Sequence, residues 1–161
     1  MNKTVSIVIP CRNEENYIKK CVESFLEQSY PQELLKIIVA DGMSTDKTRE
    51  IIKSMQEKHD NIILLDNEGL SAPKGMNLGI KHTNSDIVII FGAHSYADKN
   101  FVIENVKALE NEEVGCAGGL ITTVNNTDKG AAIAEAMSCP FGVGNALFRY
   151  SEKEAFVDTV G

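Results

Sequence analysis

The strongest constraint on this chain is a recurring unit: a short apolar run, a polar loop, then a segment whose apolar residues return every three or four positions. Val5-Ser6-Ile7-Val8-Ile9 stops at Pro10, and Ile18, Cys21, Val22, Phe25 and Leu26 follow at helical spacing. An unbroken β-branched run suits a strand buried on both faces, and the helical stripe needs a sheet to pack against. Residues 36–40 lead in the same way to Ile51, Ile52 and Met55, and residues 61–65 to Ala72, Met76 and Ile80. Residues 87–91 lead to Val102, Val106 and Leu109. Strands alternating with helices are joined by right-handed crossovers, so the fold class is α/β, a mostly parallel sheet with helices on both faces. A fifth strand is expected over residues 114–121. A turn at Asn125-Asn126-Thr127-Asp128 and an alanine-rich helix over residues 131–137 come after it.

Local signals refine the elements. Asn13 reads as the N-cap of the first helix, with Glu14 and Glu15 in a first turn where carboxylates suit the helix dipole. Pro73 stands where the first turn of the third helix tolerates it. Cys21 lies on the apolar stripe of the first helix and reads as core packing.

Composition narrows the function. The 161 residues make one domain, 1–161, and 43% hydrophobic with 24% charged residues exclude a disordered tail, a collagen-like rod or a coiled coil. Sixteen Lys and Arg against 23 Asp and Glu leave a net charge of −7 with no basic block, which argues against nucleic-acid and anionic-lipid partners. No apolar run approaches the ~18 residues of a membrane span. Cys11, Cys21, Cys116 and Cys139 are scattered without a metal-site spacing, and a reduced cytoplasmic compartment is expected.

In a parallel sheet of this kind, ligands bind beyond the carboxyl ends of the strands, so the residues after each strand carry the information. They are Pro10-Cys11-Arg12-Asn13-Glu14, then Asp41-Gly42-Met43-Ser44-Thr45-Asp46, then Asn67-Glu68-Gly69 with Lys74-Gly75-Met76-Asn77, then Gly92-Ala93-His94. The first loop holds no glycine, which excludes a dinucleotide fingerprint, and Gly75 follows its lysine rather than preceding it, which excludes a P-loop. A phosphoacceptor domain would want an acidic pair after the first strand and an aspartate after the third. Glu14 and Asp66 are what those places offer.

The stretches Ile7-Val8-Ile9-Pro10-Cys11-Arg12-Asn13-Glu14, Asp41-Gly42-Met43-Ser44-Thr45-Asp46-Lys47-Thr48 and Lys74-Gly75-Met76-Asn77-Leu78-Gly79 resemble, in order and spacing, the nucleotide-sugar half of family 2 glycosyltransferases. Ala93-His94 with Tyr96, Gly118-Gly119, and Pro140-Phe141-Gly142-Val143-Gly144-Asn145 are similar to the branch that builds succinoglycan-like exopolysaccharides. The resemblance implies a Rossmann-like nucleotide-diphospho-sugar transferase fold of the GT-A type, covering the donor-binding part of a longer family chain. It implies inverting sugar transfer from a nucleotide-diphospho-sugar, UDP-linked, to a saccharide or lipid-linked acceptor, with the full-length protein at the cytoplasmic face of the membrane. The nucleotide-sugar site implied is Pro10, Arg12, Glu14, Asp41, Lys74, Asn77, Gly92 and Ala93, with Asp41 accepting the uracil N3 hydrogen, as an acceptor-only group can.

The family's Mn2+ or Mg2+ signature is an Asp-x-Asp after the fourth strand. Here the triplet is Gly92-Ala93-His94, so His94 is the implied metal ligand and Gly92 removes a carboxylate. Asp98 reads either as a further ligand or as a helix cap. The family's catalytic base is expected beyond residue 161, with Glu152, Glu154 and Asp158 read as solvated. An open sheet edge would favour a homo-oligomer. The competing reading is a catalytically inactive nucleotide-binding or protein-interaction module, which Gly92 favours.

Overall fold

The computed structural model describes residues 3–124, 127–144, 146–151 and 153–157. Expectations for Asn125, Asn126, Asn145, Glu152 and Asp158 lie outside the described residues. The chain divides into two compact units, Met1–Val106 and Lys107–Gly161.

The first unit is a parallel sheet of β1 (Val5–Cys11), β2 (Leu35–Asp41), β3 (Ile62–Asp66) and β4 (Ile87–Ile90) in the order β3-β2-β1-β4. Its helices are α1 (Ile18–Leu26), α2 (Thr48–Gln56), α3 (Ala72–Lys81) and α4 (Phe101–Ala108). Register pairs Val5 with Leu35 and Cys11 with Asp41, Asp41 with Asp66, and Val8 with Ile90. The carboxyl ends of β1, β2 and β3 therefore finish level, with their polar loops side by side.

Side chains alternate across β1. Val5, Ile7, Ile9 and Cys11 join Ile37 and Val39 of β2 under Ile18, Cys21, Val22 and Phe25 of α1, Ile52 of α2, and Val102 and Val106 of α4. Phe25 is fully buried and packs edge-on to Phe91 and Phe101, at ring separations of 4.8 and 6.5 Å, which locks the end of β4 and the start of α4 to α1. On the opposite face α3 lies directly on the sheet. Gly75 rests against Pro10 and Ala40, and Gly79 against Val8, so close that a Cβ on Gly79 would overlap both Val8 methyl carbons. Val88 and Ile90 of the edge strand β4 stay partly exposed on this face.

Three local expectations are corrected. Ala72 and Ile80 are exposed and Met76 is half-buried, so the face that α3 lays on the sheet is Gly75 and Gly79, where small residues allow the close approach. Asn13 does not cap α1: its backbone is left-handed at φ 56°, residues 15–17 form a turn, and α1 begins at Ile18 after Tyr17. Glu14 and Glu15 thus lie in the loop, because Asn13 spends its side chain on the loop after β2 instead. Residues 114–121 form no strand. Gly115, Gly118 and Gly119 deprive this run of side chains to pack, and a strand without packed cross-strand neighbours does not offset its ordering entropy.

In the second unit, α5 (Asp128–Met137) starts at Thr127, whose Oγ1 accepts the Gly130 N–H at 3.2 Å, and α6 (Pro140–Val143) follows. Gly144 has φ 60° and so takes a conformation that suits glycine, as its turn role requires. Ile121 donates its N–H to the Phe148 carbonyl at 2.7 Å. No helix among the described residues is long and apolar enough to cross a membrane.

The close seat of α3 is testable. Gly79→Ala should destabilise the protein by about 1–3 kcal/mol through overpacking against Val8, read from urea unfolding, whereas Ala72→Gly at the exposed start of α3 should cost less than about 1 kcal/mol.

Candidate functional site

Strand order reverses between β1 and β4, since β2 and β3 build outward on one side of β1 and β4 on the other. A crevice beyond the strand ends is expected at such a reversal. The loops after β1 and β4 meet there: Glu14 Oε2 stands 3.0 Å from His94 Nδ1. The Glu14 side chain is only 12% exposed, whereas that of His94 is 69% exposed. Tyr17 flanks His94 edge-on, at 5.3 Å between ring centres.

Each of these loops is held by hydrogen bonds of its own. The Glu14 N–H donates to Thr48 Oγ1 at 2.7 Å, and the Asn13 N–H to Ser44 Oγ at 2.8 Å. In return Asn13 Oδ1 accepts the Thr45 N–H at 2.9 Å, and Glu15 Oε2 accepts the Lys47 N–H at 3.0 Å. The loop after β4 is tied to α1: Ser24 Oγ accepts the Ala97 N–H at 3.0 Å, and Gln28 reaches the Asp98 carbonyl at 2.7 Å. Lys20 also lies over the Tyr96 ring at 3.6 Å.

Asp41 is fully buried, and its carboxylate is the hub of the β2 end. Oδ2 accepts the Ser44 N–H at 3.0 Å and Arg49 Nη1 at 2.6 Å, while Oδ1 accepts the Ser44 hydroxyl and, at 3.8 Å, the Cys11 thiol. The other arm of the Arg49 guanidinium takes Asp66 Oδ1 at 2.6 Å. These two carboxylates raise the Arg49 pKa through their hydrogen bonds, so the guanidinium stays charged. A buried carboxylate is tolerable only when it is paired, and the planar fork of arginine pairs two at once. In this arrangement Asp41 presents no free face to a base.

Cys11 and Cys21 are both buried thiols. Burial, with the Asp41 and Glu14 carboxylates nearby, pushes the Cys11 thiol well up, and burial beside Glu14 pushes Cys21 to about 12. Neither is a thiolate nucleophile at neutral pH.

The remaining expected residues divide between the crevice and the core. Pro10 lies under Gly75, and a Cβ added to Gly42 would stand 3.3 Å from the Arg12 Cβ, so these neighbours line the β1–β2 side of the edge. Lys74 is exposed at the start of α3 and folds its stem over Gly69. Asn77 is exposed three residues further along α3. Gly92 is exposed at the end of β4, and Ala93 is buried in the core. Asp98 lies outside the pair as a helix lead-in, its Oδ1 accepting the Asn100 N–H at 2.9 Å. Ser44, Thr48, Arg49 and Asp66 are the partners that sequence reasoning missed. The hydroxyl spacing of Ser44, Thr45 and Thr48 is visible in the sequence, but the role of Arg49, on α2, depends on the strand register that sets Asp41 beside Asp66.

No three His, Cys, Asp or Glu side chains among the described residues form a self-sufficient metal centre. The Glu14 and His94 pair nonetheless offers a divalent cation a partial donor set, one carboxylate oxygen and one imidazole nitrogen.

A parallel sheet whose loops gather polar groups at a strand-order reversal is a ligand-binding layout shared by open α/β sheets, and among these the fold is GT-A-like. Residues 6–157 match the model of glycosyl transferase family 2, and the chain belongs to that family. Over 164 aligned positions it is 40% identical to the dolichyl N-acetyl-α-D-glucosaminyl phosphate 3-β-D-2,3-diacetamido-2,3-dideoxy-β-D-glucuronosyltransferase of Methanococcus voltae, covering 97% of this chain and 50% of that protein. The structure is similar to the mannosyltransferase PcManGT from Pyrobaculum calidifontis, solved with GDP-Man and Mn2+, at TM-score 0.69 and 25% identity over 76% of this chain and 36% of that one. It shares its fold with Staphylococcus aureus TarS 1-349 in complex with UDP, at TM-score 0.60 and 22% identity over 77% of this chain and 40% of that one. The chain thus spans half or less of the length of each of these proteins.

The Arg49 fork should dominate local stability. Arg49→Ala should cost about 2–4 kcal/mol in urea unfolding by stranding the buried Asp41, and Arg49→Lys should recover only part because an ammonium cannot fork between two carboxylates. Leu70 holds φ 59° in the loop after β3, so Leu70→Gly should raise stability by about 0.5–1 kcal/mol in the same measurement.

Proposed function

We propose that this protein supplies the donor-binding part of an inverting glycosyltransferase that moves a sugar from a UDP-linked donor to a lipid-linked or polysaccharide acceptor. The observation that carries the reading is the meeting of the β1 and β4 loops, through Glu14 and His94, at the point where strand order reverses. Support comes from the Methanococcus voltae relative, whose name places a sugar on a dolichyl-linked glucosaminyl phosphate. Ala93-His94 with Tyr96 further supports a place beside the exopolysaccharide branch, from whose pattern Gly92 departs, and in this reading the full-length protein acts at the cytoplasmic face of the membrane.

Each residue has a role in this reading. Pro10 and Arg12 line the nucleotide slot, Pro10 by shape and Arg12 by stacking on the base or by charge. Lys74, at the start of α3, brings a point charge toward the diphosphate, and Asn77 extends that polar wall along the helix. Gly92 and Ala93 let the backbone come close to the donor, and His94 holds a divalent cation. Such a cation, when bound, neutralises the departing nucleoside diphosphate. Asp41 accepts the uracil N3 hydrogen on Oδ1 once the Ser44 hydroxyl turns away, a rotation about a single bond. The carboxylates of Glu14 and Asp41 are engaged by His94 and Arg49, so the base that takes the acceptor's proton comes from outside these strand ends.

A second reading, an inactive nucleotide-binding module, draws on Gly92, which leaves the usual place of a metal carboxylate bare. Both readings require UDP to bind, and only the first requires turnover. In calorimetric titration UDP should bind the wild type. Asp41→Asn should bind roughly tenfold to a hundredfold more weakly, the worth of a hydrogen bond to a charged acceptor, and Ser44→Ala should bind as well as wild type or better. Absence of saturable UDP binding to folded wild type would refute both readings. Equal binding by Asp41→Asn would remove Asp41 from the slot.

A further inference from the structure

We propose that Glu14, from the loop after β1, supplies the carboxylate that Gly92 lacks, so that Glu14 Oε2 and His94 Nδ1 are adjacent ligands of one divalent cation. This inference rests on the donor-binding reading for the identity of the remaining ligands, the diphosphate oxygens.

Three observations carry it. The first is distance: two donors that each stand ~2.1 Å from one cation and subtend a right angle there are ~3.0 Å apart, and Glu14 Oε2 and His94 Nδ1 are separated by 3.0 Å. The second is the state of the carboxylate. Glu14 is 12% exposed, and among the described residues His94 is the only partner of its side chain, through Oε2. A carboxylate so nearly withdrawn from water calls for a cation, and an imidazole alone meets that need at one oxygen. The third is independence: the Glu14 backbone is fixed by Thr48, and the His94 loop is fixed to α1 by Ser24 and Gln28. The two side chains are therefore brought together by other hydrogen bonds and are not needed to close the loops on each other. That is the preorganisation a metal pair requires.

The set of one imidazole, one carboxylate and phosphate oxygens suits Mn2+, which accepts nitrogen as well as oxygen donors, better than Mg2+, which keeps to oxygen. Gly92 has open space around it, since a Cβ there would meet only Ser95 Oγ at 3.8 Å. A carboxylate can therefore be restored at that position without a clash.

Mn2+ titrations of the protein followed by EPR, without nucleotide, test the pair directly. Glu14→Gln and His94→Gln should each weaken Mn2+ binding about tenfold or more, as loss of one ligand in a sparse site does. Nitrogen hyperfine coupling to Mn2+ should be present in wild type and absent in His94→Gln. Gly92→Asp placed on Glu14→Gln should recover most of the lost affinity, a rescue that a purely structural role for Glu14 does not predict. Thermal melts of all variants confirm that the folded proteins are being compared. The proposal is overturned if Glu14→Gln binds Mn2+ as wild type does, whether or not His94→Gln differs, because Glu14 is then only a hydrogen-bond partner. UDP titration of the wild type with saturating Mn2+ present tests the donor reading separately. Loss of Mn2+ effects with UDP binding intact strikes the ligand pair alone, and absent UDP binding with the Mn2+ effects intact strikes the donor reading alone.

Discussion

The site of the first unit is built around β1, which has a parallel partner on each side and helices over both faces. A strand so placed can carry almost no charge along its length. Its only buried polar side chain is Ser6, whose hydroxyl meets Thr83 and Ser85 at 2.7 and 2.8 Å. Functional groups are therefore pushed to the carboxyl end, where the chain leaves the sheet. Because β4 joins β1 on the side away from β2, two loops that are far apart in sequence leave the sheet next to each other, and Glu14 meets His94.

That edge is made rigid by reciprocal hydrogen bonds rather than by apolar packing. The Ser44 and Thr48 hydroxyls accept the Asn13 and Glu14 N–H groups, the Thr45 N–H and the Ser44 hydroxyl donate to Asn13 and Asp41, and Arg49 ties the ends of β2 and β3 together. Asn13, Met43 and Leu70 hold left-handed backbones in the loops after β1, β2 and β3. Each costs on the order of 1–2 kcal/mol against glycine, and the surrounding hydrogen bonds offset that cost. Strain at three successive strand ends, balanced by the lace between them, is the pattern of a surface shaped for a ligand rather than for stability alone.

For a nucleoside diphosphate the charge balance of this edge matters more than the protein's net charge of −7. Asp41 and Asp66 are neutralised in part by Arg49, and Lys74 is exposed at the start of α3. An anionic ligand is then opposed chiefly by Glu14, and a cation shared with His94 would reverse that sign. Family membership and the mannosyltransferase similarity agree with such an edge, while the proposal of particular ligands comes from the side chains themselves.

Much was determined by the sequence alone. The four apolar runs are all parallel strands, as their pattern implies, though only β1 and β2 are buried on both faces while β3 and β4 at the sheet edges stay partly exposed, and Cys21 and Pro73 stand where their spacing put them. The order of polar loops likewise named the edge that holds Pro10, Arg12, Glu14, Asp41 and His94. Tertiary structure decided the rest, for reasons of register and distance. Arg49 became the partner of Asp41 because β2 and β3 end level, and Gly79 mattered because Val8 lies beneath it. Asn13 left its cap position to bond the neighbouring loop, and residues 114–121 failed as a strand because three glycines left little to pack. The pairing of Glu14 with His94 spans 80 positions of chain, and a one-dimensional pattern cannot encode a 3.0 Å separation until strand order has set which loops are neighbours.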